Sequence, residues 1–297
     1  MPDFAVISGC ALAGILYGLL GSFSLARNQA LLGDVLSHAA WPGLVLMLGL
    51  TGSRNFAILG IGACLAGMAG MAILDLLGRG SNRLKPDARL ALVLSGFFAV
   101  GMLLARPVQS IRPGSQGHLQ AFLFGQTAAL VWSDVMVIAL VLALSLVFAA
   151  SRWRDLTALC FDPVWRQTTP ASNMATSPLL DTILVLGIVA GLPVAGVALV
   201  SALLVCLPVT ARVLTKRFLP GTGLAMLLGG LLGASAPWMV MGLESLAQHF
   251  HGDSTLRLPT GPVFVLAGSI CAAGALAFRY LARSRAKATG AINHAAN

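Results

Sequence analysis

Charged side chains are scarce in this chain. Lys, Arg, Asp and Glu make up 10% of its 297 residues, whereas they make up about 25% of a soluble domain. Hydrophobic residues make up 57% of the chain, and the mean hydropathy is +0.87. Apolar stretches close to the roughly 20 residues that a helix needs to cross a bilayer recur from end to end. The composition therefore excludes a soluble protein and indicates a membrane protein with many spans.

Other absences exclude several classes of function. None of the three lysines follows a glycine, so the chain lacks the Gly-Lys-Ser/Thr sequence of a nucleotide-binding P-loop. The five cysteines are scattered without a CxxC pair, which indicates neither a disulfide framework nor a cysteine metal cluster. No nucleophile–base pair points to catalysis. The alternation of polar and apolar residues that is typical of membrane barrel strands is also absent. Helices then remain as the structure that satisfies the backbone hydrogen bonds in lipid. The sequence predicts an all-α transmembrane bundle that is not an enzyme.

The apolar runs predict about nine spans in a single transmembrane domain that covers residues 1–297. A run at 179–211 would form about 50 Å of helix, too long for one span, and Gly191-Leu192-Pro193 offers a break between two short spans. Segment 118–130 is expected to form a re-entrant or interfacial helix, and the polar tail 283–297 is expected to fray. The remaining predicted spans are 4–25, 30–50, 56–77, 90–105, 135–150, 221–243 and 261–278.

Positive charge sets the expected orientation. With nine spans, 15 Lys and Arg residues lie on one side and four on the other, and the richer side is cytoplasmic by the positive-inside rule. The N-terminus is then outside and the C-terminus inside, and the first residues carry no cationic region of a signal peptide. The net charge of +9 is explained by these loops, so no nucleic-acid partner is expected.

The stretch LLGDVLSHAAWPG, residues 31–43, places an acid and a histidine inside an apolar span. Asp34 and His38 are four residues apart, so on a helix they lie on one face, one turn from each other. Ionisable groups are costly in lipid and mark functional sites. Imidazole nitrogen and carboxylate oxygen bind divalent transition metals. A helix cap by Asp34 and an interhelical hydrogen bond from His38 explain the pair equally well.

A second group of possible metal ligands lies before the last span. The sequence QHFHGD offers His249, His251 and Asp253 in a predicted outer loop. Three ligands in five residues are able to gather metal at an entrance, although a solvated polar loop is the simpler interpretation.

The longest predicted cytoplasmic connection, about 151–178, contains an aromatic pair. Phe161 and Trp165 are four residues apart, and Asp162 and Pro163 are well placed to start a short helix. Such a helix either fills a groove on a partner protein or lies on the membrane surface as an amphipathic linker.

Several motifs, in this order along the chain, resemble the membrane subunit of ABC importers for zinc, manganese or iron(II), the ABC-3 metal permease family. The resemblance covers most of the chain, and its first and last motifs are specific. The motifs are LLGDVLSHAAWPG, then LALVLSGFFAVGM at 90–102, FLFGQTAAL at 122–130, FDPVW at 161–165, AGVALVSALLVCLPVTARVL at 195–214 and LPTGPVFVL at 258–266.

This resemblance implies a fold similar to that of the vitamin B12-type (type II) ABC importers. It implies a permease without its own nucleotide site in the bacterial plasma (inner) membrane, working as a dimer, most simply a homodimer. Two ABC ATPase subunits would lie at its cytoplasmic face, and an extracytoplasmic metal-binding protein would deliver the ion. No permanently bound cofactor is implied, because the transported ion, Zn²⁺ or Mn²⁺ and in some relatives Fe²⁺, is the substrate.

The resemblance also assigns residues. Asp34 and His38 match an acid and a histidine implicated in metal coordination in the translocation path, and FDPVW would be the coupling helix seated on the ATPase. The family's acid-aromatic-Ala run reads Val164-Trp165-Arg166 here, with only the aromatic kept. The alternative function is a secondary transporter of a metal or small solute driven by an ion gradient, which would show inverted repeats and further buried charges.

Overall fold

The chain folds into a helical bundle, seen here in a computed structural model that describes residues 3–53, 55–80, 85–111, 115–125, 127, 130–161, 176–251 and 258–295. Eight of the described helices are long and apolar enough to cross a membrane, and α9 is a shorter apolar helix. The predicted all-α bundle of about nine spans is confirmed. The helices are α1 (Phe4–Ala26), α2 (Leu32–Thr51), α3 (Phe56–Gly80), α4 (Pro86–Ile111), α5 (Ser115–Phe124), α6 (Trp132–Ser151), α7 (Trp153–Phe161), α8 (Thr176–Ala195), α9 (Val200–Leu214), α10 (Phe218–His251) and α11 (Thr260–Ala295).

The long apolar run at 179–211 forms two helices, as predicted, but the position predicted for the break was wrong. Pro193 lies inside α8, and the chain turns at Gly196, whose φ is +80°. The backbone N–H groups of Val197 and Ala198 donate to the carbonyls of Phe122 and Leu123, at 3.0 and 3.2 Å. The end of α5 therefore supplies acceptors for the N–H groups that the break exposes, and the break forms where α5 docks.

The end of α11 also differs from the prediction. The helix continues to Ala295, so residues expected to fray are helical up to that point. The sequence beyond Arg285 is rich in alanine, the strongest helix former, which explains the continuation.

Helix α1 lies at the centre of the bundle and packs against α6, α8, α9 and α10. Its contact with α10 is made backbone to backbone, because a methyl group at Gly14 or at Gly229 would overlap the carbonyl of the other. Small residues spaced by four on both helices allow this approach, which lipid-embedded helices use for van der Waals contact. The contacting pairs are Gly14 with Gly229, Gly18 with Ala225, and Cys10 with Gly233.

Helices α2, α3 and α4 pack together beside this centre. A methyl group at Gly43 of α2 would overlap the carbonyl of Gly62 in α3, and one at Gly101 of α4 would overlap the ring of Trp41. Trp41 is buried. These close contacts fix α2, the helix that carries Asp34 and His38, against both neighbours.

Candidate metal site

A tight turn between α1 and α2 sets where α2 begins. Arg27 caps the C-terminus of α1, and Asn28 follows with a left-handed φ of 57°, a conformation that asparagine tolerates better than most residues. The Arg27 guanidinium is paired with Asp181 of α8 at 2.5 Å, and both side chains are largely buried. This ion pair ties the turn to α8, so that α2 starts at a fixed height in the bundle.

Asp34 and His38 lie side by side on α2, as their spacing predicted. Nε2 of His38 and Oδ1 of Asp34 are 3.4 Å apart. Two ligand atoms about 2.1 Å from a tetrahedrally coordinated zinc ion are about 3.4 Å from each other. The two side chains are therefore spaced as ligands of one ion would be. His38 is about 9 Å from the start of α2 at a rise of 1.5 Å per residue.

The surroundings of the pair weaken the two structural explanations. Leu31, not Asp34, is the N-cap of α2, and no side-chain capping bond is present there. Nδ1 of His38 is buried and has no hydrogen-bond partner among the residues that the structure describes. The imidazole instead meets the edge of Phe98 in α4, with ring centroids 5.0 Å apart. Within the described chain, neither a cap nor an interhelical hydrogen bond of Nδ1 accounts for the pair.

Pro42 changes the backbone at the same site. It lies inside α2, four residues after His38, and has no N–H to bond the His38 carbonyl. That carbonyl therefore lacks its usual helical donor. The carbonyl oxygen of His38 is thus available as a further ligand beside the imidazole of the same residue. Sequence reasoning missed both Pro42 and Phe98, although proline four residues after a candidate ligand is a signal that a sequence shows.

The pair does not form a complete metal centre within one chain. No group of three or more His, Cys, Asp or Glu residues able to hold a metal ion occurs in the described part of the structure. The side chains of His38 and Asp34 are 17% and 31% exposed, so both are reachable from outside the single chain. Two ligands fall short of the four of a structural zinc site, and any further ligand must come from another molecule or the backbone.

A cavity of about 550 Å³ lies beside the first turn of α2, where Leu32 forms part of its wall. Three carboxylates, those of Asp75, Asp87 and Asp181, line it together with Arg27 and other residues. The cavity is at the end of the bundle predicted to be cytoplasmic. Arg89 lines it as well, so the opening near Asp34 carries charges of both signs.

The outer group of predicted ligands is arranged differently from the prediction. His249 and His251 lie in the last turn of α10 and not in a loop, because the helix runs further than the apolar run indicated. Their spacing of two along the helix is not the spacing of three or four that places residues on one face. Asp253 lies outside the described residues.

The predicted coupling residues are described only in part. Phe161 is the last residue of α7 and is 59% exposed. The short helix that the sequence predicted to start at Asp162 and Pro163 lies outside the described residues. The Phe161 ring meets that of Phe218, with centroids 5.2 Å apart. Asp162, Pro163 and Trp165 lie outside the described residues.

Comparisons with known proteins identify the family. Residues 4–279 match the ABC 3 transport family. The manganese transport system membrane protein MntC of Bacillus subtilis is 33% identical over 265 residues, which are 89% of this chain and 58% of that protein. The zinc transport system membrane protein TroC of Treponema pallidum is 33% identical over 261 residues, which are 88% of this chain and 83% of that protein.

A solved structure has the same fold. PsaBC from Streptococcus pneumoniae, determined in complex with a Fab, superposes with a TM-score of 0.70 over 91% of this chain and 89% of its own, at 23% identity. The expected family and fold are confirmed: the chain is a multi-pass membrane protein and belongs to the ABC 3 transport family.

Proposed function

We propose that this chain is the permease subunit of an ATP-driven importer of a divalent transition metal, either zinc or manganese. The observation that carries the proposal is the Asp34–His38 pair, whose ligand atoms are 3.4 Å apart on an apolar helix. Family membership supports the transport role. The relatives named for manganese and zinc transport support both metals, and carboxylate and imidazole ligands suit either.

A second copy of the chain would complete the site. Two pairs around a dimer axis supply four ligands, two imidazoles and two carboxylates, and His38 carbonyls are available as further oxygens. Helix α4, which packs on α2 and contacts His38 through Phe98, has large exposed apolar side chains, among them Leu92, Val100 and Leu103. This apolar face suits a helix–helix contact with a second copy. Few ligands per chain would also let the site release its ion, as conduction requires.

The remaining partners follow from the same proposal. ABC ATPase subunits would dock at the cytoplasmic face and an extracytoplasmic metal-binding protein at the opposite face. With the N-terminus outside, the cavity of about 550 Å³ opens toward the cytoplasm, so an ion that leaves Asp34 would pass its three carboxylates. The His249 and His251 end of α10 would then be at the outer face, where it can contribute to ion entry.

Reconstitution tests this function directly. The chain and its ATPase partner are placed in liposomes, and radioactive or mass-detected Zn²⁺ and Mn²⁺ are followed with and without ATP. We expect accumulation of at least one of these ions only with ATP, and no effect of ionophores that dissipate proton and sodium gradients. Uptake without ATP that collapses with the ionophores would instead establish the secondary-transporter alternative.

The coupling role of the segment after α7 leads to a prediction. We expect Trp165→Ala to weaken copurification of the ATPase by roughly 2 kcal/mol or more, because a buried aromatic anchor typically contributes that much to an interface. The measurement is ATPase recovered per permease, with ATP hydrolysis in liposomes as a second readout. Trp132→Ala is the matched control, because Trp132 is exposed at the start of α6. Equal recovery from both variants would contradict docking through Trp165.

The orientation leads to a second prediction. In a background with the native cysteines replaced, Arg83→Cys and Arg217→Cys should react with an impermeant maleimide only from the cytoplasmic side, and Asp253→Cys only from outside. If a native cysteine must be kept, Cys160 is suitable, because burial raises the pKa of its thiol to about 11, although Arg27 and Arg212 nearby lower it. A thiol at such a pKa reacts slowly. Labelling of positions 83 and 217 from opposite faces would contradict the prediction that an even number of spans lies between them.

A further inference from the structure

A strongly basic pocket lies where α9 ends and α10 begins, separate from the Asp34–His38 pair. Its volume is about 320 Å³, and none of the described residues that line it is acidic. Four of its lining residues are cationic, and they come from α9, the α9–α10 connection and α11: Arg212, Lys216, Arg217 and Arg279. Gathering four like charges is unfavourable without an anion between them.

One guanidinium in this pocket is held in place with a donor unused. Cζ of Arg212 lies 5.9 Å from the ring centroid of Phe218, a cation–π distance. Its Nη2 atom is buried and has no hydrogen-bond partner among the described residues. A buried donor without an acceptor costs free energy, and a guanidinium binds phosphate oxygens well. The pocket is therefore lined by a guanidinium whose hydrogen-bonding capacity is not filled by the described residues.

Exposed apolar side chains adjoin several lining residues of the pocket along the chain, and they are called the apolar rim here. Arg279 of α11 lies between Phe278 and Tyr280, which are 69% and 74% exposed. Leu214 and Leu219, on either side of the α9–α10 connection, are 55% and 61% exposed. Tyrosine and exposed apolar side chains beside arginine are typical of the boundary between lipid and water. A soluble anion would use the cations alone, whereas a phospholipid would use the cations and the apolar rim.

We propose that this pocket binds the phosphate of an anionic phospholipid, with its acyl chains along the exposed side chains of α10 and α11. Basic pockets between membrane helices bind such headgroups. The bound lipid would join α9, α10 and α11. Phe161 at the end of α7 lines the same pocket, so the lipid would also contact α7. The proposal is independent of which ion the chain transports.

Lipid titration of the full chain tests this site. The delipidated protein in detergent is titrated with phosphatidylglycerol or phosphatidylcholine, and bound lipid is counted by native mass spectrometry. We expect a preference for phosphatidylglycerol in the wild type, and about a fivefold loss of its affinity for each charge removed in Lys216→Gln and Arg279→Gln. Arg154→Gln is the matched control, because Arg154 is exposed at the same end of the bundle and does not line the pocket.

Three outcomes would overturn the proposal. One is equal binding of the two lipids by the wild type, and another is an equal loss in Arg154→Gln, which would indicate general surface charge. The third is displacement of phosphatidylglycerol by inorganic phosphate or glycerol phosphate at the same concentration, which would assign the pocket to a soluble anion. Unchanged unfolding temperatures of the variants without lipid establish that a loss of binding is not a loss of fold.

Discussion

His38→Ala and Asp34→Ala are each expected to reduce ATP-driven metal uptake to the background of empty liposomes. Either change leaves one of the two proposed ligands of each chain, whose atoms are 3.4 Å apart in the unsubstituted protein. Even a residue that only orients a metal ligand is worth about 10- to 100-fold in affinity, so loss of a ligand itself should cost at least as much. Uptake per folded transporter is the measurement, with insertion and ATPase copurification recorded for each variant.

The control for these variants is an acid at a different place in the bundle. Asp134 is half-buried in the first turn of α6, and its carboxylate accepts a hydrogen bond from the backbone N–H of Val131, which an asparagine side chain also accepts. Asp134→Asn should transport at the wild-type rate. Wild-type uptake by His38→Ala would remove the metal role, and so would a variant that fails only because it no longer folds.

A substitution that changes the ligand type distinguishes a metal ligand from a structural side chain at position 38. Metal binding requires a neutral imidazole and an ionised carboxylate. His38→Cys places a soft thiolate in the site, and we expect the ratio of zinc to manganese uptake to rise because thiolate favours zinc over manganese. A side chain that only packed against Phe98 would leave this ratio unchanged.

The sequence predicted the parts of this site that depend on neighbours along one helix. Asp34 and His38 meet because residues four apart on a helix share a face, and that needs no knowledge of tertiary structure. Phe98 touches His38 only because α4 packs on α2, about sixty residues further along the chain. Nothing local to either segment encodes that contact.

The break between α8 and α9 shows the same limit. Gly191-Leu192-Pro193 carries the stronger local signal for a break, yet α8 runs through it, because neighbouring helices satisfy the backbone around a proline in a membrane bundle. The helix ends at Ala195, where the carbonyls of Phe122 and Leu123 accept the N–H groups beyond Gly196. A partner distant in sequence thus decided which of two glycines became the turn.

The close packing of small residues of α1 and α10 leads to the second prediction of a large effect, a loss of stability. A methyl group at Gly229 would overlap the carbonyl of Gly14, and that carbonyl belongs to a helix at the centre of the bundle. A flexible side chain moves aside at little cost, but a backbone carbonyl moves only with its helix. Overpacking in a core costs about 1–3 kcal/mol where side chains give way, so we expect Gly229→Ala to cost about 3 kcal/mol or more. The unfolding temperature of the purified protein is the measurement.

Gly242→Ala makes the same chemical change further along α10. A methyl group there meets nothing within 4 Å among the described residues, and alanine is about 1 kcal/mol better than glycine in a helix. The two variants should therefore shift the unfolding temperature in opposite directions. Equal shifts would show that α1 and α10 are not in backbone contact.

Because Gly229 is remote in sequence and in packing from α2, the Gly229→Ala protein that does fold should transport metal at the wild-type rate per molecule. Loss of uptake in that folded fraction would mean that the α1–α10 contact is also required for metal transport.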